Sequence, residues 1–234
     1  MPLHKKPELK LAWVSIDAAR HACLNWHYSK KLPSGKLAKI GVWEDGKFIG
    51  VVIFGRGANN HIATPYELKQ TQMCELVRVA MRSHITTVSR ILSIAIKFLK
   101  KQMPGMRLLL SYADPEQGHH GGIYQAGNWI YAGKSQAQRE LLINGVEVHK
   151  RSANAKYGTA SPEKISKMTG KKVEYGPLLW KHTYLMPLDK ETRCKILTKA
   201  QPFPSRSKQA AAPTRGAAAG QHRPERSKNE EAKA

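Results

Sequence analysis

Cysteine is scarce in this chain. Cys23, Cys74 and Cys194 are the whole complement, and no two of them form a CxxC pair. That excludes a zinc ribbon, a disulfide framework and a thioredoxin-like redox site. Three free thiols suit a reducing compartment. Long apolar runs are missing as well. No segment approaches the ~20 residues that a membrane-spanning helix needs, and no secretory apolar region follows Lys5 and Lys6. These absences predict a soluble, intracellular protein. Acidic residues are few. Asp and Glu number 17 against 39 Lys and Arg, a formal net charge of +22 over 234 residues. An excess of that size points to a polyanionic partner, nucleic acid above all. No helix-turn-helix, zinc finger or other base-reading module is visible, so any sequence preference is expected to be short and local.

Composition changes at Gln201. Segment 201–234 holds four Pro and eight Ala, with Phe203 as its only aromatic and seven Lys/Arg against three Glu. Such a segment buries too little apolar surface to offset its ordering entropy, and it is expected to be a disordered basic tail. Residues 1–200 then form one folded domain that carries +18 of the charge.

Helix and strand signals alternate through that domain. Segment 15–28 reads as a helix with Ser15 or Asp17 as its cap. Two apolar runs flank Asp45-Gly46, and two more flank Asn144-Gly145; both are hairpin signals. Segment 74–81 alternates as a strand does. In 86–101, Val88, Ile91, Leu92, Ala95, Ile96 and Leu99 recur at helical spacing. Strand 107–114, short helix 122–129, strand 129–133, helix 161–170 and one or two strands in 173–188 follow. This order predicts an α/β (or α+β) fold, a mixed central sheet with helices on its faces.

The order resembles the acyltransferase fold of the Gcn5-related N-acetyltransferases, in which two central parallel strands splay apart. Here 74–81 and 107–114 would be that pair, joined by helix 86–101. The strings HYS (27–29), ELVRVA (75–80), SYADPEQGHHGGIYQAGNWIYAG (111–133), KYGTAS (156–161) and KHTYLMPL (181–188) together resemble the Mom family of bacteriophage DNA-modification proteins. The resemblance spans residues 12–188. It implies addition of a carbamoylmethyl group to N6 of adenine in DNA, protection from restriction, and a place of action in the cytoplasm of the bacterial host. One feature departs from the acetyltransferase pattern. Those enzymes hold the coenzyme A pyrophosphate on a Gly-rich turn at the start of the long helix. Here that stretch reads RVAMRSHITTVSR and has no glycine. Acetyl-CoA is therefore not the expected donor; an aminoacyl-tRNA is one that needs no such loop, and it makes tRNA a second candidate partner beside DNA.

Within this frame the residues take candidate roles. Adenine N6 is a poor nucleophile and needs a proton acceptor. Asp114, at the end of a buried strand, is the first candidate; otherwise it ends the strand in an Asp-Pro turn. Tyr124 is either the general acid for the leaving group or a core tyrosine. His27 and Tyr28 close the first helix, where they contact the base or the acyl group or pack on the core. No ligand spacing marks a metal site. Arg78 in an apolar strand needs an anionic partner, be it Glu75, Glu116, Asp114 or a substrate phosphate. Ser111 and Tyr112 precede Asp114, with Tyr112 on its face of the strand. Asn128 and Trp129 follow the short helix, and Trp129 either stacks on a flipped base or fills the core. Region 134–172 has nine Lys/Arg against three Glu; Lys150, Arg151, Lys156, Lys171 and Lys172 are its candidate phosphate contacts. Two other readings remain: an N-acetyltransferase acting on protein or small molecules, and a non-enzymatic basic nucleic-acid-binding protein.

Overall fold

A computed structural model describes residues 6–57, 59 and 61–204. The two Asx-Gly turns set the local geometry of the chain. Asp45 and Gly46 take φ of 48° and 76°, and Asn144 and Gly145 take 50° and 77°, the left-handed pairs that match strand twist in a two-residue hairpin. The first turn joins β2 (Leu37–Glu44) to β3 (Lys47–Gly55). The second joins β7 (Leu141–Ile143) to β8 (Val146–Val148).

Seven strands form the central sheet. β1 (Leu9–Trp13) pairs with β2, and β3 pairs with β4 (Met73–Met81). β5 (Leu108–Ala113) lies beside β4, and β10 (His182–Pro187) lies between β5 and β6 (Ile130–Lys134). Pairing is antiparallel except for β4 with β5. Alternation sorts the core onto the two faces. Val52, Phe54 and Leu109 meet α2 (Val88–Gln102), which buries Ile91, Leu92, Ala95 and Leu99. Val51 and Ile53 meet α1 (Ile16–Trp26), where Ser15 caps the helix by accepting the Ala18 N–H at 3.2 Å. Leu108 and Leu110 meet Ile196 of α6 (Lys190–Leu197).

The break in the sheet is what makes a site. β4 and β5 pair at only three positions, Met73 with Leu108, Cys74 with Leu109 and Glu75 with Leu110. Beyond Glu75 each strand keeps its outer neighbour, β3 for β4 and β10 for β5, but not the other. The β3–β4 register also slips, leaving Val77 as an extra residue between Leu76 and Arg78. Such a bulge raises the local twist and re-aims side chains. The parallel pair parts as the acyltransferase resemblance implies.

A small lobe interrupts the chain between β6 and β10. β7, β8 and β9 (Val173–Tyr175) form its sheet. α4 (Lys150–Tyr157) and α5 (Pro162–Thr169) complete it around Leu141, Ile143, Ala153 and Ile165. The sequence pattern does not predict β1, α4 or α6. α4 buries only Ala153, so it has no apolar stripe to read. The short helix expected over 122–129 stops sooner. α3 covers Gly122–Gln125, and Asn128 at φ 58° turns the chain back toward β6. Gln201, assigned by composition to the tail, is held in place, its N–H donating to the Tyr131 carbonyl at 2.8 Å. The expected tail from 205 onward lies outside the described residues.

Asp189 ties α6 to the sheet. It accepts the Thr192 N–H at 2.8 Å and takes both Nε and Nη2 of Arg107 at 3.0 Å. The Arg107 hydrogen bonds hold its carboxyl well below the usual carboxylate range. A depressed folded pKa gives stability above the unfolded pKa, ~3.9, that is lost as pH falls. Asp189→Asn keeps an oxygen to cap the helix but loses the charge that pairs with Arg107, and is therefore expected to lower Tm at pH 7. Thermal melts should show the gap to the unaltered protein narrowing below pH ~4.

Candidate active site

The opening between β4 and β5 holds a polar cavity of about 400 Å³, within the range of small-ligand sites. The end of α1 contributes Trp26, His27 and Tyr28, and β4 contributes Glu75 to Val79. Tyr112, Asp114, His119, Tyr124 and Lys181 close it. The fold thus gathers six sequence-derived candidates, His27, Tyr28, Arg78, Tyr112, Asp114 and Tyr124.

His27 stands at the C-cap of α1 in extended conformation. Its Nδ1 accepts the Ser29 N–H at 3.1 Å, so the neutral ring carries its proton on Nε2. Burial, then the positive charges of Arg78, His119 and Lys30, push its pKa down to about 4. At neutral pH His27 is a hydrogen-bond donor through Nε2. Tyr28 is half exposed. Its ring lies 4.3 Å from that of His27 and meets His119 edge-on at 5.4 Å.

Tyr124 is buried among Trp129 and Tyr184, and its Oη lies 2.8 Å from Ser111 Oγ. Ser111 Oγ also lies 2.9 Å from the Leu76 carbonyl, a group freed by the strand splay. A carbonyl only accepts, so the single Ser111 proton goes there, and the phenol donates to Ser111. Burial pushes the Tyr124 pKa up to about 12. The phenol therefore keeps its proton at neutral pH. Ser111 is itself buried and does not line the cavity; it positions Tyr124.

Arg78 sits at the bulge. Its Nη1 donates to the Val77 carbonyl at 2.6 Å, while its buried Nε has no hydrogen-bond partner among the described residues. None of the expected acidic partners is in salt-bridge contact with it there. A guanidinium left with an unsatisfied buried donor is prepared for an anionic or carbonyl group from outside.

The two carboxylates differ in their contacts. Asp114 does form the Asp-Pro turn, its Oδ1 accepting the Glu116 N–H at 3.1 Å, and its Oδ2 lies 3.6 Å from Lys181 Nζ. Glu75, which sequence reasoning treated only as a partner for Arg78, sits at the last paired position before the strands part. Its carboxylate makes no hydrogen bond or salt bridge among the described residues. Burial pushes its pKa up, against the pull of Arg78, Lys181 and Arg151. The signal in the sequence was a lone acid in the apolar run 73–81.

Besides Ser111, two more expected binders lie elsewhere. Trp129 is 1% exposed, packed in the core against Tyr124, and has no face for a base. Asn128 is exposed in the turn after α3 and does not line the cavity. The candidate phosphate contacts share the small lobe. Lys150, Arg151 and Lys156 are on α4, and Lys171 and Lys172 precede β9. The positive charge of Arg151 adds to the pull on the Glu75 carboxyl. Lys172 is paired with Glu174 at 3.1 Å.

Among the described residues, no group of three or more His, Cys, Asp and Glu is placed to hold a metal, and no helix is long and apolar enough to cross a membrane. The segment before α2 does not fit a coenzyme A diphosphate: the Ile85 and Thr86 amides are taken by the Glu44 carboxylate.

The fold is similar to that of FeeM, an N-acyl amino acid synthase from uncultured soil microbes, at 10% identity and a TM-score of 0.45, over 82% of this chain and 97% of that one. It is similar also to a candidate acetyltransferase from Acinetobacter baylyi ADP1, at 12% identity and a TM-score of 0.44, over 80% and 96%. In sequence the chain is 25% identical over 204 residues to the methylcarbamoylase Mom of Escherichia phage Mu, covering 84% of each. Residues 8–205 match the Mom protein family, and with most of its length so matched the chain belongs to that family.

Proposed function

We propose that this protein is a DNA-modifying transferase that places a carbamoylmethyl group on N6 of adenine. The observation that carries the reading is the cavity between the parted strands, where an unpaired carboxylate, Glu75, and an unsatisfied guanidinium, Arg78, face the same space. The name methylcarbamoylase, borne by the phage Mu relative, supports the group transferred. The net charge of +22 and the basic small lobe support a nucleic-acid substrate.

In this reading the adenine leaves the duplex, at a cost of a few kcal/mol, and rests against the exposed face of Tyr28. As the bond from N6 to the incoming carbon forms, N6 loses one proton to Glu75. The bond to the leaving group breaks, and Tyr124 turns its hydroxyl from Ser111 to that group and gives it the proton; after release the proton held by Glu75 returns to the phenolate through solvent. Protons and electron pairs balance, since N6–H and the donor's C–X bond become N6–C and X–H. The Nε2–H of His27 and the guanidinium of Arg78 hold the carbonyl oxygen of the transferred group. The proposed donor bears the carbamoylmethyl CH2 carbon on a leaving group X, which departs as X–H, and the bacterial cytoplasm is the proposed place of action. Plasmid from bacteria expressing the protein is expected to resist a panel of restriction endonucleases whose sites contain adenine. Cutting equal to that of an empty-vector control counts against the function.

DNA binding has its own test. Replacing Lys150, Arg151 and Lys156 with Glu is expected to weaken duplex binding and to flatten its log–log salt slope by close to one unit for each phosphate that is no longer neutralised. Fluorescence anisotropy across a salt series measures both. A slope that does not change places the DNA on another surface.

A further inference from the structure

The loop ahead of α2 carries an acid where an anion would otherwise bind. Backbone N–H groups at the start of a helix, together with its positive end, form a ready site for phosphate. Here Glu44, the last residue of β2, reaches across to that loop. Its Oε2 accepts the Ile85 N–H at 2.8 Å and its Oε1 accepts the Thr86 N–H at 2.7 Å. These are short, charge-assisted bonds. The residue that makes them is almost wholly hidden from solvent, with 7% exposed. Thr87, the N-cap residue, makes no side-chain capping bond of its own, and the Glu44 carboxylate holds the two amides just ahead of it. The hydrogen bonds from this loop outweigh burial and keep the carboxyl below its usual pKa, hence ionised at neutral pH. The stretch Arg82–Thr87 also lacks any glycine, so side chains limit how closely a ligand could approach its backbone.

We propose that Glu44 is a built-in replacement for a donor's phosphate: it fills the anion site before α2, excludes diphosphate carriers by like charge, and so determines which donor the enzyme accepts. Only the word donor rests on the transferase reading; the occupation of the site does not. A carrier excluded here must be gripped elsewhere, and its phosphates are free to engage the basic lobe.

Binding tests this without any activity assay. The probes are coenzyme A and inorganic pyrophosphate, followed by calorimetry and by the Ile85 and Thr86 amide signals in 1H–15N spectra. The unaltered protein is expected to leave both amides unmoved with either probe at ~1 mM, a level that detects even weak complexes. Glu44→Gln keeps the side-chain shape but removes the charge. It is expected to bind pyrophosphate at least about tenfold more tightly, a difference of about 1.4 kcal/mol, with both amides shifting. Glu44→Ala should do the same if it remains folded by thermal melt; if it does not, the Gln variant alone decides. Shifts of Ile85 and Thr86 in the unaltered protein would overturn the proposal. So would a folded Gln variant that binds neither probe.

Discussion

Glu75→Gln is expected to cut product formation by a factor of ~10² to 10⁴, the range for losing a general base, while leaving DNA affinity within about twofold of the unaltered protein. The carboxamide keeps the shape of the side chain but cannot take the N6 proton. Two further readouts separate this role from a structural one. First, the group acts as a base only when ionised, and burial raises its pKa. Activity of the unaltered enzyme should fall on the acid side as Glu75 protonates, and that limb should be missing from the residual activity of Glu75→Gln. Second, a carboxyl whose folded pKa is raised destabilises the folded state once pH exceeds the unfolded value. Removing the charge should therefore leave Tm at pH 7 unchanged or higher, the trade expected where a site holds a group against its preference for water. Asp114→Asn should behave differently. It keeps the oxygen that caps the turn and loses only the pairing with Lys181, so it should lower Tm slightly and reduce activity less. If Asp114→Asn abolishes product and Glu75→Gln does not, the two carboxylates exchange roles.

Trp129→Ala is expected to cost about 3–5 kcal/mol of stability, as buried Trp truncations do. For a domain of this size that is a fall in Tm on the order of 10 °C. The ring is fully enclosed in the core shared by α2 and the sheet, 5.1 Å from Tyr124. Its loss opens a cavity under the phenol that holds the proposed acid. Denaturant melts should show the full destabilisation, and product formation should fall only in step with the folded fraction and the misplacement of Tyr124. By contrast, Tyr124→Phe keeps the ring and removes one hydroxyl, so it should hold most of the stability while losing activity. A Trp129→Ala protein of unaltered stability but weakened DNA affinity would return this residue to base stacking.

Much of the scaffold is readable from local chemistry. Asp45-Gly46 and Asn144-Gly145 announce their hairpins because few residues tolerate two successive positive φ angles. α2 announces itself by its apolar spacing, and α5 by Ser161, Pro162 and Gly170 at its ends. α4 has a single buried alanine, and α6 rests on Ile196 and Thr192; neither has a stripe to find. In the site, His27, Tyr28, Arg78, Asp114 and Tyr124 stand out by residue type in unusual places. What separates Glu75 from Asp114 is not in either residue's neighbours along the chain. It is that a turn and Lys181 occupy one carboxylate while the strand splay leaves the other open. Trp129 has the right chemistry for stacking, but burial is decided by what packs around it. Glu44 meets Ile85 across 41 residues, a pairing no local pattern encodes; the sequence shows only that glycine is missing at the other end of it.

The proposed reaction stands or falls on the mass of deoxyadenosine. Plasmid DNA from bacteria expressing the unaltered protein, and from cells expressing Glu75→Gln at the same soluble level, would be digested to nucleosides and analysed by mass spectrometry. The expected result is a deoxyadenosine heavier by one carbamoylmethyl group in the first sample and nearly absent from the second. Unmodified deoxyadenosine in the first sample, with the protein present and folded, would contradict a DNA-modifying transferase.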